Sequence, residues 1–255
     1  MIYLLISFQL NGRSITILSW NIKDFGKSRD DIEIEAIAEL LRNADLVAIQ
    51  EVVAIDPGGA KAVARLVDAL DRKGSNWDYS ISDPTKSPSK YISERYAFLW
   101  KSHKVQINGN EPYVGKFIFD NREIVLINYH SRTHNSTNNE RIEIESISNS
   151  IIDQSFPNTI WVGDFNLNYT NSVFKTILSY GFIEAFTGEK TTLKINCKNG
   201  NYLSLAEDNI IYRLDNMFLN SKAVIDFVDD RCQEVTILRN SFSDHLPIQI
   251  VLWFN

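Results

Sequence analysis

The chain has 255 residues, 44% hydrophobic and 23% charged, with 26 basic against 32 acidic side chains and a net charge of −6. That is globular composition; it excludes a low-complexity chain, and the acidic balance argues against a protein that coats nucleic acid by charge alone. An enzyme that meets phosphate through a bound divalent cation stays open, because the ion carries the positive charge locally.

The start, MIYLLISFQLNGR, is apolar but lacks a basic n-region and a small-residue cleavage site. It reads as an extra edge strand over residues 1–12. No stretch is long and apolar enough to span a bilayer, so stable membrane association is not expected. Ser14–Trp20 (SITILSW) is a β-branched strand ending at Asn21. Ile34, Ile37, Ala38 and Leu41 fall at helical spacing and predict an amphipathic helix over Asp30–Arg42. The apolar run Asp45–Gln50 predicts a buried strand that ends at Glu51. Beyond Pro57-Gly58-Gly59, the stripe Val63, Leu66, Val67, Leu70 predicts a second helix, closed by Gly74. Trp77–Ile81 reads as a strand, and Asp83–Ser89 as a loop.

From Arg95 onward, Tyr96–Trp100, Lys104–Ile107, Tyr113–Phe119 and Glu123–Tyr129 are strands separated by Asn, Gly and Asp turns, which predicts antiparallel pairing. His130 closes the last of them. A polar loop over Ser131–Asn138 leads to a helix carrying Ile144, Ile147 and Ile151. Val173, Phe174, Ile177 and Leu178 mark another helix, stopped near Gly181. Thr187–Asn209 reads as a long loop with short strands. Tyr212–Leu219, Ala223–Val228 and Ile248–Phe254 read as strands. No linker or repeat divides the chain, so one domain over residues 1–255 is expected. Cys197 and Cys232 form no CxxC pair and are expected as two unpaired thiols, which places the protein in the cytoplasm rather than outside the cell.

The stretch Thr159–Tyr169 (TIWVGDFNLNY) runs from a buried strand into Asp164 and Asn166. Side chains two apart leave an extended chain on one face, so a carboxylate and an amide can project together toward a phosphate. The same two residues can instead do no more than close an Asx turn. Acids, amides and histidines recur where other apolar strands stop: Asn21, Glu51, Glu94, His130, Asp215 and Asp244-His245. Their shared chemistry predicts a single pocket.

Seven blocks carry a resemblance that spans nearly the whole chain: SWNIKDFG (19–26), DLVAIQEV (45–52), ERYAFLWKSHKV (94–105), INYHS (127–131), VGDFNLN (162–168), YRLDNMFL (212–219) and SFSDHLPI (241–248). In this order they resemble the endonuclease/exonuclease/phosphatase superfamily, in its deoxyribonuclease I-like branch. The resemblance implies an α+β, four-layer α/β/β/α sandwich of two mainly antiparallel sheets flanked by helices, with a site at one end. It implies that Glu51, with Asn21 beside it and Asp244 assisting, holds Mg²⁺ (Mn²⁺ as a substitute). It makes His245 the catalytic histidine and Asp215 the carboxylate that orients it. Glu94 and His130 match a second carboxylate–histidine pair. Asp164 and Asn166 match the positions that orient the attacking water and contact the scissile phosphate. Arg95, beside a motif acid, reads either as a partner of an acid or as a substrate contact, and His134, in the polar loop, either as a surface residue or as a substrate contact.

The implied activity is metal-dependent phosphodiester hydrolysis by a monomer, with DNA as substrate. A phosphoinositide or phospholipid phosphodiesterase or phosphatase is the alternative, and a non-catalytic binding module a further one. The match fails at the groove-reading positions of that branch. Val53 stands where an arginine belongs, Asn110 where another does, and Ile92 where a stacking tyrosine does. The calcium loops and disulfide positions of that branch are also missing. Arginine in a narrow minor groove is a main source of attraction, so the resemblance supports the chemistry better than duplex DNA as its target.

Overall fold

The computed structural model describes residues 14–54, 57–85, 93–111, 114–131, 137–215, 218–220 and 232–253. The expected strands at 1–12 and 223–228, and His134, lie outside these.

Two βαβ units set the architecture. In the first, β1 (Ser14–Phe25) and β2 (Leu46–Val53) run parallel, in register from Ile17↔Leu46 to Asn21↔Gln50. The crossover is α1 (Asp31–Leu41), started by a capping box in which Asp30 and Glu33 satisfy each other's backbone N–H. In the second, β7 (Arg122–His130) and β8 (Thr159–Asp164) run parallel from Val125↔Thr159 to His130↔Asp164. Their crossover is α3 (Thr137–Gln154). Parallel neighbours end on the same side, so each unit delivers its polar strand ends to one edge of its sheet.

Further strands widen each unit. Helix α2 (Gly58–Asp71) leads to β3 (Trp77–Ile81) and β4 (Glu94–Lys101). Near the C-terminus lie β13 (Phe218–Asn220), α5 (Cys232–Ser241) and β14 (Ile248–Trp253). The first sheet has the order β13-β14-β1-β2-β4-β3. The second takes β5 (Gln106–Glu111), β6 (Val114–Phe119), β9 (Ile183–Glu184) and β12 (Asp208–Arg213) in the order β5-β6-β7-β8-β12-β9. Apart from the two parallel pairs, all neighbours are antiparallel.

Alternation along the strands makes three apolar layers. Ile15, Ile17, Leu46, Ala48 and Phe98 of the first sheet meet Phe117, Leu126, Ile160, Val162 and Ile210 of the second. The opposite face of the first sheet carries Leu18, Val47, Ile49 and Leu99 against Ile37, Leu41, Val63 and Leu66 of α1 and α2. The opposite face of the second carries Val125, Trp161 and Ile211 against α3, a 3-10 turn at Ser172–Phe174 and α4 (Lys175–Ser179). This is the expected four-layer sandwich.

Two backbone features shape the site end. Gly163 has φ 143°, and a Cβ there would lie 1.7 Å from the Tyr129 carbonyl oxygen, so only glycine lets β8 approach β7 just before Asp164. Glu51 has φ 57° at a bulge in β2, a conformation that costs a non-glycine residue on the order of 1 kcal/mol. The Glu51 carboxylate repays it with hydrogen bonds: Oε1 accepts from Asn21 Nδ2 and Oε2 from Asp24 N, each at 3.1 Å.

The last third agrees with expectation in part. The stretch 187–209 holds the short strands expected of it, paired as a hairpin, β10 (Leu193–Lys198) and β11 (Asn201–Leu203). The strand expected at Tyr212–Leu219 begins at Asp208 and ends at Arg213, because the Asn209–Tyr212 run pairs in register with β8. The weakly apolar segment 232–241 is helix α5. Cys197 and Cys232 are bonded to each other, which corrects the expectation of two free thiols and removes the argument for a reducing compartment that rested on it.

Candidate active site

Asp164 occupies the centre of the polar edge. It ends β8 and is 1% exposed. Its Oδ1 accepts from Asn166 N at 2.9 Å, which is an Asx turn. Its Oδ2 meets Asn21 Nδ2 at 3.1 Å, His245 Nε2 at 3.4 Å and His130 Nε2 at 3.6 Å. One carboxylate oxygen thus closes the turn while the other meets the two imidazoles. Asn166 turns its amide away, donating to the Ser131 carbonyl at 2.5 Å.

Each imidazole is backed by its own acid. His130 Nδ1 lies 2.9 Å from Glu94 Oε2, and His245 Nδ1 lies 2.9 Å from Asp208 Oδ2. Both rings present Nε2 to Asp164. Beneath them a buried network fixes the sheets to each other: Gln50 Nε2 donates to Asn128 Oδ1 and Ser19 Oγ, and Asn128 Nδ2 donates to the Ile49 and Ala97 carbonyls. The His245 loop is tied to β1, where Ser243 Oγ donates to the Asn21 carbonyl and Trp20 Nε1 to the His245 carbonyl.

The electrostatics follow from this geometry. Burial alone would depress both histidines. Asp208 and Asp164 outweigh it at His245 and hold that ring well above its ordinary value. Glu94, Asp164 and Glu51 outweigh it at His130 and bring its pKa to about 9. Burial also pushes the Asp164 carboxyl up, against the lowering effect of the two imidazoles. For His130 the folded pKa lies above the unfolded one. Its pairing therefore contributes fully below about pH 6.5 and is lost as pH rises through about 9. The groups facing it are Glu94 of β4, Asp164 of β8 and Glu51 of β2. In EDTA, His130→Asn should reduce the stability lost between pH 6 and 9.5 by on the order of 2–3 kcal/mol, read from urea denaturation at both pH values. Equal losses in the two proteins would show that His130 gains no such proton.

The structure thus brings together Asn21, Glu51, Glu94, His130, Asp164 and His245. It does not bring Asp215, which corrects the carboxylate expected to orient His245. Asp215 lies exposed beyond the far end of β12, with its backbone N–H on Asn158 Oδ1. Asp208 holds that place at the near end, opposite Asp164 in the ladder. The signal that reveals Asp208 is the one the other site residues share, an acid at the site-side end of an apolar run. Asp244 points to the rim. Its carboxylate meets Lys23 Nζ at 3.4 Å and Arg239 at 3.3 Å, and its described polar contacts include none with Glu51 or Asn21. Arg95 donates to the Ser82 carbonyl, 2.9 Å away.

Two groups of donors suit a cation. Asp164, Asp208 and His245 offer ligand atoms all within 4.8 Å of one another. There, however, Nδ1 and Nε2 of the ring already face carboxylates. At Asn21, Oδ1 is buried without a hydrogen-bond partner, while Nδ2 lies between the Glu51 and Asp164 carboxylates. An orphaned amide oxygen beside the partly exposed Glu51 carboxylate fits a hard, oxygen-seeking ion such as Mg²⁺.

A family model described as the endonuclease/exonuclease/phosphatase family matches residues 18–245, and the chain belongs to that family. Its members are hydrolases of phosphoester bonds and usually use divalent metals. The chain is similar to deoxyribonuclease-1-like 1 of Cricetulus griseus, 24% identical over 246 residues that cover 86% of this chain and 77% of that protein. Among solved structures it resembles the Bacteroides thetaiotaomicron mannosyl-6-phosphatase, with a TM-score of 0.65, 15% identity, and 94% of this chain and 100% of that one covered. It also resembles D. rerio TDP2 complexed with a single-strand DNA product, with a TM-score of 0.62, 15% identity, and 94% and 98% covered. The last two likenesses are of fold.

Proposed function

We propose that this protein is a divalent-metal-dependent phosphodiesterase of the deoxyribonuclease I-like type that cleaves DNA internally. The observation that carries the reading is the convergence of two acid-backed imidazoles on one buried carboxylate, beside a cation-suited glutamate. Hydrolysis of a phosphodiester needs a water oxygen to attack phosphorus, extra negative charge on the phosphoryl oxygens to be stabilised, and the leaving alkoxide to be protonated. Asp164 is the water-orienting base, since burial raises its basicity. The imidazolium rings of His245 and His130 stabilise the developing charge, and one of them gives its proton to the leaving oxygen. Asp208 and Glu94 keep Nδ1–H in place so that Nε2 faces the reaction. Glu51 and Asn21 are the residues to hold Mg²⁺, which supplies positive charge at the scissile phosphate.

Val53 and the acidic net charge disfavour a tight grip on the duplex minor groove, so single-stranded DNA should be cut faster than intact plasmid. The deciding experiment is a panel of plasmid, single-stranded DNA, inositol phosphates and sphingomyelin with Mg²⁺, Mn²⁺, Ca²⁺ or EDTA. EDTA-sensitive cleavage of DNA is expected. Turnover of only the lipid substrates would move the assignment to the phospholipid alternative, and no turnover anywhere would leave a binding module. Glu51→Gln should raise the Mg²⁺ concentration for half-maximal rate by about tenfold or more and also lower the rate, read from a metal titration. An unchanged metal requirement would remove Glu51 from the site.

A further inference from the structure

The β10–β11 hairpin and α5 stand beside the site and, among the described residues, give no group to it. The segment Thr191–Leu193, which leads into β10, touches both members of the Asp208–His245 pair. Thr191 is fully buried, and its Oγ1 accepts from Asp208 N at 3.1 Å and Glu207 N at 3.4 Å. The Thr191 carbonyl accepts from Leu246 N at 2.8 Å, Thr192 is bridged to His245, and Leu193 N donates to the Asp244 carbonyl at 2.7 Å. Behind it, the backbone N–H groups of Thr191 and Thr192 both donate to the Leu205 carbonyl. From α5, Arg239 donates Nε to the Leu193 carbonyl and a terminal nitrogen to Asp244 Oδ2, each at 3.3 Å.

What holds α5 against β10 is thin. Among the described residues, Leu193, Val235, Leu238 and Leu246 are the buried apolar side chains of this corner, and three partly buried ones lean on them. So small a cluster buries little area to offset the ordering of a hairpin and a helix. The covalent link across it is the Cys197–Cys232 bond, which joins residues 35 apart in sequence and whose cysteines are both partly exposed.

We propose that the Cys197–Cys232 disulfide is a redox-sensitive brace for the Asp208–His245 pair: oxidised, it clamps α5 and β10 onto the segment that aligns the pair, and once reduced it lets that alignment relax and turnover fall. The inference rests on the phosphodiesterase reading above. The step is thiol–disulfide exchange with a dithiol. The dithiol loses two electrons and two protons and closes to its own disulfide, while the protein bond opens to two thiols. Thr191 and Arg239 are then positioning residues, acting on the chemistry through Asp208, Asp244 and His245.

The test uses the full chain and bis(4-nitrophenyl) phosphate with Mg²⁺. The oxidised protein, the protein reduced with dithiothreitol, and the double variant Cys197→Ser with Cys232→Ser are compared. Reduction and the double variant should each lower kcat on the order of ten- to a hundredfold with KM nearly unchanged, and reoxidation should restore the first. Dithiothreitol should not slow the double variant further. In proton NMR the low-field Nδ1–H signal of His245 should weaken on reduction while that of His130, held by Glu94 away from this corner, stays. With the disulfide intact, Thr191→Val should reproduce the kcat loss and Thr191→Ser should recover most of it, which keeps the proposal testable if reduction loosens the fold. Unchanged kcat and an unchanged His245 signal in reduced, folded protein would overturn the brace. If the oxidised protein cleaves no phosphodiester, the phosphodiesterase reading fails, and the His245 signal alone decides whether the brace holds the pair.

Discussion

Asp164→Asn should lower kcat for a phosphodiester by about a thousandfold or more, with KM changed only a few-fold and the fold retained. The substitution keeps Oδ1, so the turn to Asn166 N survives. What changes is the atom that meets Asn21 and the two imidazoles. Oδ2 accepts from Asn21 and lies between two imidazole Nε2 atoms. An amide nitrogen in its place removes the base and turns a donor toward three donors. Both rings lose a neighbouring anion, so both histidines should titrate lower than in the parent. A role confined to closing the turn predicts the reverse pattern, in which activity per folded molecule is kept whatever happens to the melting temperature. Single-turnover rates on an oligonucleotide, with circular dichroism melts beside them, separate the two. Activity within tenfold of the parent would take Asp164 out of the chemistry.

The first two thirds of the chain were legible because their elements are locally consistent. Ile34, Ile37, Ala38 and Leu41 form a buried stripe behind a capping box, and the expected helix ends within a residue of the observed one. Strands β2, β4, β7 and β8 are buried apolar runs that carry Glu51, Glu94, His130 and Asp164 at or near one end, so strand end and candidate site were read together. The sequence hid what depends on tertiary pairing. Strand β1 continues to Phe25 through polar Lys23 and Asp24, because pairing resumes at Phe25↔Val52. Helix α5 carries little apolar periodicity, since its partner is a two-stranded hairpin rather than a sheet. Cys197 and Cys232 meet only because that hairpin and helix pack. Asp244, adjacent to His245 in sequence, meets Lys23 and Arg239 instead, because the chain bends at Asp244 and the two side chains take different partners.

Asp208 and Asp215 illustrate the same limit, and replacing each in turn gives the sharpest remaining test. Both acids precede an asparagine, in the runs EDNIIY and LDNMFL, and the resemblance points to the second. Register decides: Asp208 pairs with Asp164 at the site end of β12, whereas the opposite end pairs Arg213 with Thr159. At about 3.3 Å per residue, the seven steps from Asp208 to Asp215 carry the latter on the order of 20 Å away. Asp208→Asn should therefore lower kcat on the order of a hundred- to ten-thousandfold, because an amide cannot hold the imidazolium that the mechanism needs and favours the wrong tautomer. It should also bring the His245 pKa down toward the ordinary range, since Asp208 is the leading anion that raises it. The rate loss should then be greatest at high pH, where the ring has lost its proton. Asp215→Asn should leave kcat within about twofold, as expected of an exposed residue away from such features. The comparison is made on bis(4-nitrophenyl) phosphate across pH 5.5 to 9, with the His245 ring followed by NMR. A large loss at Asp215 and a small one at Asp208 would mean that β12 is paired in a different register, and the geometry of the site would fall with it.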